Sequence, residues 1–300
     1  MIIFYDARYN ATGIVFDTTR KASCIASTLH ERPIPGIEIR SPQPVSWADL
    51  SLVHDETYLR ALETGTPPSI ATSANLGWDE IYPLAIRWST GGLCDAVVEA
   101  LERKGIAGTL SSGLHHAYRD HGKGFCSLNG LALGAIRAVR AGARRILIID
   151  LDAHCGGGTK SIVADWPEIE QIDVSVVRYD DYVSTERCRL VVLENLTSGE
   201  EYLEVVQQAL DGVVDPGSID LVIYNAGMDP HRQAGGVSAI DTDTLRRRED
   251  MVFGWARSHG LPVAWTIAGG YSSTSFPMDE LVELHRLTID AAAAHTVSEA

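Results

Sequence analysis

The stretch Ile146-Leu147-Ile148-Ile149-Asp150-Leu151-Asp152-Ala153-His154-Cys155-Gly156-Gly157-Gly158 decides how this chain is read. Four consecutive aliphatic residues predict a buried strand. It ends in two carboxylates and an imidazole, and three glycines follow. Carboxylates at the end of an apolar strand are costly to bury unless positive charge compensates them. Asp152 and His154 are two residues apart, so in extended backbone both point to the same side. There the pair can close on one metal ion. The same residues can also cap a following helix or pair with a lysine, and this segment alone leaves both readings open.

Working outward, strand-like runs recur at 2–5, 107–110, 172–177, 190–193, 221–224 and 263–267, with the opening run extending over 145–151. Helical apolar spacing fills 79–102, 128–141, 200–210, 242–259 and 279–294. Ser198 with Glu201 three residues on has the capping-box pattern. Strands alternating with helices predict an α/β fold with a mostly parallel sheet and helices on both faces. Sites in such sheets form beyond the carboxyl ends of the strands. Asp152 and His154 fall there, and so does Asp229, which follows the apolar run 219–227.

Two more segments carry chemistry. Leu114-His115-His116-Ala117, preceded by Gly113, places adjacent histidines ahead of Gly124-Phe125-Cys126-Ser127-Leu128-Asn129. Tyr271 closes the run Trp265-Thr266-Ile267-Ala268-Gly269-Gly270-Tyr271. Each has a plainer reading: histidine pairs occur on surfaces, an Asp before Pro is often a turn residue, and a tyrosine at a strand end is often core.

Taken together, and with Val53-His54-Asp55-Glu56-Thr57-Tyr58-Leu59 as an early helix-start segment, these motifs resemble the histone deacetylase family. That family includes bacterial relatives acting on acetylated polyamines and other small amides. The resemblance implies a single-domain arginase/deacetylase-like fold over residues 1–300. It also implies zinc-dependent hydrolysis of an N-acyl, chiefly acetyl, amine such as an acetylpolyamine or acyl-lysine. It assigns Asp152, His154 and Asp229 to one Zn²⁺, leaving a position open for water and substrate. Zinc can lower the pKa of bound water from ~15.7 toward about 7. His115 and His116 would handle protons, with Asp150 orienting His115 and also joining Ser175 at a structural potassium ion. Tyr271 would donate to the oxyanion. Gly124, Phe125 and Gly270 would border the substrate.

The pattern departs from the family at three places. The family turn after the metal histidine reads His-Gly-(Asp or Asn)-Gly; here Gly157 stands where that Asp or Asn would support the second histidine. Either water or another carboxylate then serves His116, or its pKa and orientation differ. The segment 178–186 lacks the family's Pro-Gly-Thr-Gly and is expected at the mouth of the site. After Asp229 the chain reads Pro230-His231-Arg232-Gln233-Ala234-Gly235-Gly236, not the usual continuation.

Composition bounds the rest. The chain has 300 residues, 45% of them hydrophobic, with no repeat or Pro/Ser-rich linker, which favours one domain. A net charge of −15 disfavours nucleic acid as a partner. It is compatible with cationic substrates. Five cysteines without paired C-x-x-C spacing argue against a disulfide framework. The first residues read as a strand, not a leader, and no run reaches membrane-spanning length, so a cytoplasmic protein is expected. Nothing sets an oligomeric state. Two rivals stay open. One is a binuclear manganese ureohydrolase of the arginase type, which needs bridging carboxylates where this chain has Gly156. The other is a catalytically silent acyl-amine-binding homologue, supported by Gly157. No G-x-S-x-G or G-x-x-x-x-G-K-[ST] is present.

Overall fold

All seven expected strands form, and one more joins them. In this computed structural model, which describes residues 1–14, 16–112 and 114–296, the strands are β1 (Ile2–Phe4), β2 (Glu38–Arg40), β3 (Ile106–Thr109), β4 (Ile146–Asp150), β5 (Ile169–Ser175), β6 (Cys188–Val192), β7 (Leu221–Ala226) and β8 (Val263–Ile267). Val15, Gly113, residues 297–300 and the side chain of Thr18 lie outside the described residues. The described strands make one sheet in the order β2-β1-β3-β8-β7-β4-β5-β6, parallel throughout.

The strand missed in the sequence, β2, is a three-residue edge strand of largely exposed, mostly charged residues, so it has no apolar run to reveal it. β5 starts three residues before the expected run, because Glu170 and Gln171 pair in register with Leu147 and Ile148. The helix Gly157–Val163 also escapes the sequence, since two glycines at its start are poor helix formers. Ser198 caps the helix Gly199–Asp211 as expected, accepting from the Glu201 amide.

Alternation within β4 shows why both faces are covered. Ile146 and Ile148 pack with Leu131 and Ile136 of the helix Gly130–Arg140 and with Leu93 and Val97 of the helix Tyr82–Arg103. Leu147 and Ile149 face the other way, toward Ile25 of the helix Asp17–Glu31, Val206 of Gly199–Asp211, Phe253 of Thr242–Ser258 and Leu281 of Met278–His295. Each such fully buried aliphatic side chain contributes roughly 1.5–3 kcal/mol. With both faces packed, the carboxyl ends of the strands are where polar groups can gather.

Candidate active site

Four adjacent strands, β3, β8, β7 and β4, deliver the candidate residues. The histidine pair follows β3, Gly269–Tyr271 follows β8, Asp229 follows β7, and Asp152 and His154 follow β4. Residues distant in sequence meet because parallel strands end at the same edge.

Asp152, His154 and Asp229 each offer a ligand atom within 4.8 Å of the others. His154 Nδ1 lies 3.2 Å from Asp152 Oδ1 and 3.1 Å from Asp229 Oδ2. Backbone amides fix both carboxylates: Ala153 N–H donates to Asp229 Oδ1 at 2.9 Å and Gly269 N–H to Asp152 Oδ2 at 2.7 Å. Residue 269 must be glycine for this approach, since a Cβ there would stand 2.1 Å from Asp229 Oδ2 and 2.5 Å from Asp152 Oδ2. Burial works against a charged imidazole at His154, yet its bonds to Asp152 and Asp229 outweigh burial and push it up to about 10. Two buried carboxylates and an imidazole that attract positive charge this strongly fit a divalent ion, and the mixed nitrogen and oxygen donors suit zinc.

The tandem histidines are buried and differ in environment. His115 Nδ1 lies 2.9 Å from Asp150 Oδ2. Burial disfavours its charge, but Asp150 and Asp152 overcome that and raise it to about 10. His116 Nδ1 lies 2.9 Å from Asp180 Oδ2. Burial, and next the charge of His115, push His116 down to about 4 despite Asp180. The two neighbouring imidazoles are thus driven apart, His115 toward its charged form and His116 toward its neutral one. Asp180, not marked as a site residue in the sequence, is the carboxylate bonded to His116. It lies in the segment 178–186, which does reach the site: the Tyr179 ring packs edge-on against His116 and His154, at centroid distances of 5.1 Å and 5.8 Å.

Tyr271 is partly buried, and among the described residues its hydroxyl has no hydrogen-bond partner. Burial, and then the charges of Asp229 and Asp152, hold the phenol far above its usual range, so it keeps its proton for donation. Phe125 and Gly124 both adopt left-handed backbone, and Gly270 also has positive φ. The Phe125 ring stacks 4.1 Å from Phe16, which in turn lies 5.9 Å from Tyr271. Phe16 and Tyr179 were not marked in the sequence, where a lone aromatic carries no signal.

Two buried cations brace the site from behind, also unmarked in the sequence. Lys21, fully buried, donates to the Ala268 carbonyl just before the Gly-Gly-Tyr turn. Burial lowers it to about 8, against the pull of Asp229 and Asp152. Arg248 donates to Leu151 O at 3.1 Å and Gly227 O at 2.7 Å, tying the two ligand-bearing segments together, and pairs with buried Glu249. Asp150 Oδ1 accepts from Asn225 Nδ2 at 2.8 Å, while Ser175 Oγ donates to Asp173 Oδ1 at 2.7 Å. Asp173, the register partner of Asp150 on β5, is pushed up to about 8 by burial and by Asp150's charge. All five cysteines are free, four of them buried, and no helix is long and apolar enough to cross a membrane among the described residues.

The histone deacetylase domain model matches residues 15–285. An uncharacterized protein of Picosynechococcus sp. is 33% identical over 259 residues, covering 85% of each chain. Histone deacetylase 2 of Arabidopsis thaliana is 31% identical over 263 residues, covering 79% of this chain and 64% of that protein. In structure the chain resembles the HD domain of HDA15, with a TM-score of 0.79 at 20% identity, over 100% of this chain and 91% of that one. It equally resembles acetylpolyamine aminohydrolase from Burkholderia pseudomallei, with a TM-score of 0.79 at 18% identity, over 98% and 99% of the two chains. The eight-stranded parallel sheet is thus the deacetylase fold, and with a domain match over most of its length and two relatives above 30% identity, the chain belongs to the histone deacetylase family.

Proposed function

We propose that this protein hydrolyses the amide of an N-acyl amine, with acetyl as the leading acyl group and an acetylpolyamine or acyl-lysine as the substrate class, in a zinc-dependent reaction. The observation that carries this reading is the buried Asp152–His154–Asp229 cluster beside two histidines, each held by its own carboxylate. A zinc ion held by that cluster would polarise the acyl carbonyl and acidify a water molecule. His116 takes the water's proton at Nε2 and returns it to the leaving amine. His115, kept charged by Asp150, steadies the developing negative charge. Tyr271 donates its free hydroxyl to the carbonyl oxygen as that oxygen gains charge. Phe125, Gly124 and Gly270 border the acyl chain, with Tyr179 beside the histidines. We assign Asp150 and Ser175 to a monovalent cation, potassium, whose charge would offset the buried Asp150–Asp173 pair. One domain spanning the chain is part of the same reading.

The silent-homologue reading rests on Gly157, and the carboxylate beside His116 supports the hydrolase reading over it. A binuclear ureohydrolase would need further bridging carboxylates; among the described residues one three-donor group occurs. The test is turnover by zinc-loaded protein of a panel of acetyl-lysine amides and acetylated polyamines with varied acyl length. Release of carboxylate and free amine, lost on chelation and in Asp229→Ala, is expected. No release from any member at one zinc per chain would overturn the proposal, and two manganese per chain would favour the ureohydrolase.

A further inference from the structure

Resting on that hydrolase reading, we infer that Asp180 is the positioning residue for His116, doing from the loop after β5 what a carboxylate at position 157 would do from the helix after β4. Gly157 and Asp180 are two halves of one arrangement. A Cβ on residue 157 would stand 2.3 Å from the Asp180 carbonyl oxygen, 2.9 Å from its Cγ and 2.9 Å from Tyr118 Oη. The space for a side chain at 157 is therefore filled by Asp180 itself. Asp180 reaches this place with left-handed backbone, φ 62°, and its side chain is fully buried.

Every acceptor direction of the carboxylate is used. Oδ2 accepts from His116 Nδ1 at 2.9 Å and from the Gly158 amide at 3.2 Å. Oδ1 accepts from the Tyr118 hydroxyl at 2.7 Å and from Lys123 Nζ at 2.5 Å. Four donors hold the group ionised and stop it rotating. An ionised carboxylate has no proton to give, so the shared proton belongs to His116 Nδ1. That leaves Nε2 with its lone pair, the tautomer a general base requires. The next residue back, Tyr179, packs against His116 and His154. One short turn thus supplies both an aromatic neighbour of the reacting groups and the anchor of the base. Lys123 joins them, lying 5.2 Å above the Tyr179 ring.

The test has two arms. In the zinc-loaded enzyme, Asp180→Asn keeps the shape but offers an amide that can donate to Nδ1, which favours the wrong tautomer. kcat should fall by at least about 10-fold with KM changed less than about twofold and zinc content unchanged. In a His116→Ala background the same substitution should cost nothing further, because the partner it serves is gone. An equal loss in both backgrounds would make Asp180 merely structural and overturn the inference. The second arm needs no turnover and so separates this inference from the hydrolase reading. Nitrogen-15 NMR of the otherwise unaltered protein should show the Nδ1–H tautomer at His116, shifting toward Nε2–H in Asp180→Asn. An Nε2–H tautomer in the unaltered chain would sink the inference even if the enzyme is active. Should Asp180→Asn fail to fold, the tautomer of the unaltered protein still decides.

Discussion

Gly269→Ala probes the metal cradle without touching a ligand. The added methyl would stand 2.1 Å from Asp229 Oδ2 and 2.5 Å from Asp152 Oδ2, whereas real Cβ contacts essentially never fall under 3.0 Å. To restore even that minimum, Asp229 must retreat by about 0.9 Å and Asp152 by about 0.5 Å, several times the ±0.2 Å tolerance of ligand distances. Neither can retreat freely, because the Ala153 amide pins the other Asp229 oxygen, Oδ1, and the Gly269 amide holds the crowded Asp152 Oδ2 itself. Zinc affinity should therefore fall by more than the roughly 10–100-fold that follows loss of a group merely supporting a ligand. The same crowding should cost the metal-free fold about 1–3 kcal/mol. Zinc dissociation constants from chelator competition, with denaturant melts of the metal-free variant, measure both. A folded variant that binds zinc as tightly as the unaltered protein would refute the assignment of Asp152 and Asp229 as joint ligands.

Tyr271→Phe should lower kcat by roughly 10²–10³ with little change in KM, zinc content or melting temperature, because among the described residues the hydroxyl makes no hydrogen bond that its removal would break. A drop in stability with unchanged kcat per folded molecule would return Tyr271 to the core. His54 should make the fold acid-sensitive. It is buried, its Nδ1 lies 2.8 Å from Tyr118 O, and its Nε2 accepts from the Asn129 amide at 3.0 Å, so it is held neutral and its pKa falls to about 4, chiefly by burial. A depressed histidine costs nothing above the unfolded value near 6.5; below it the unfolded chain gains a proton that the fold refuses. Stability should thus fall by about 1.6 kcal/mol between pH 6.5 and pH 5 relative to His54→Asn. Parallel pH profiles of the two proteins would contradict this.

The sequence alone determined what depends on local pattern. Apolar and β-branched runs disclosed seven strands, and the end of one placed Asp152 and His154 on one side of extended backbone, while Asp229 stood out at the end of another run and joined them as a ligand only through the family resemblance. His115, His116 and Tyr271 were legible as motifs at the ends of runs already read as strands. What stayed hidden depends on contacts between distant residues. β2 is strand by virtue of pairing with β1, not by composition. Arg248 reads as one of several charges on a helix, and only packing against β4 and β7 turns it into a brace. Lys21 is likewise an ordinary helical lysine until it is buried beneath the Gly-Gly-Tyr turn. Asp180 lies 64 residues from His116, in a segment that only its lack of a family motif distinguished. Gly157, set against the family pattern, signalled that His116 lacks its usual Asp or Asn partner. Where its replacement came from was decided by a left-handed turn and a close backbone approach, which no spacing of residue types encodes.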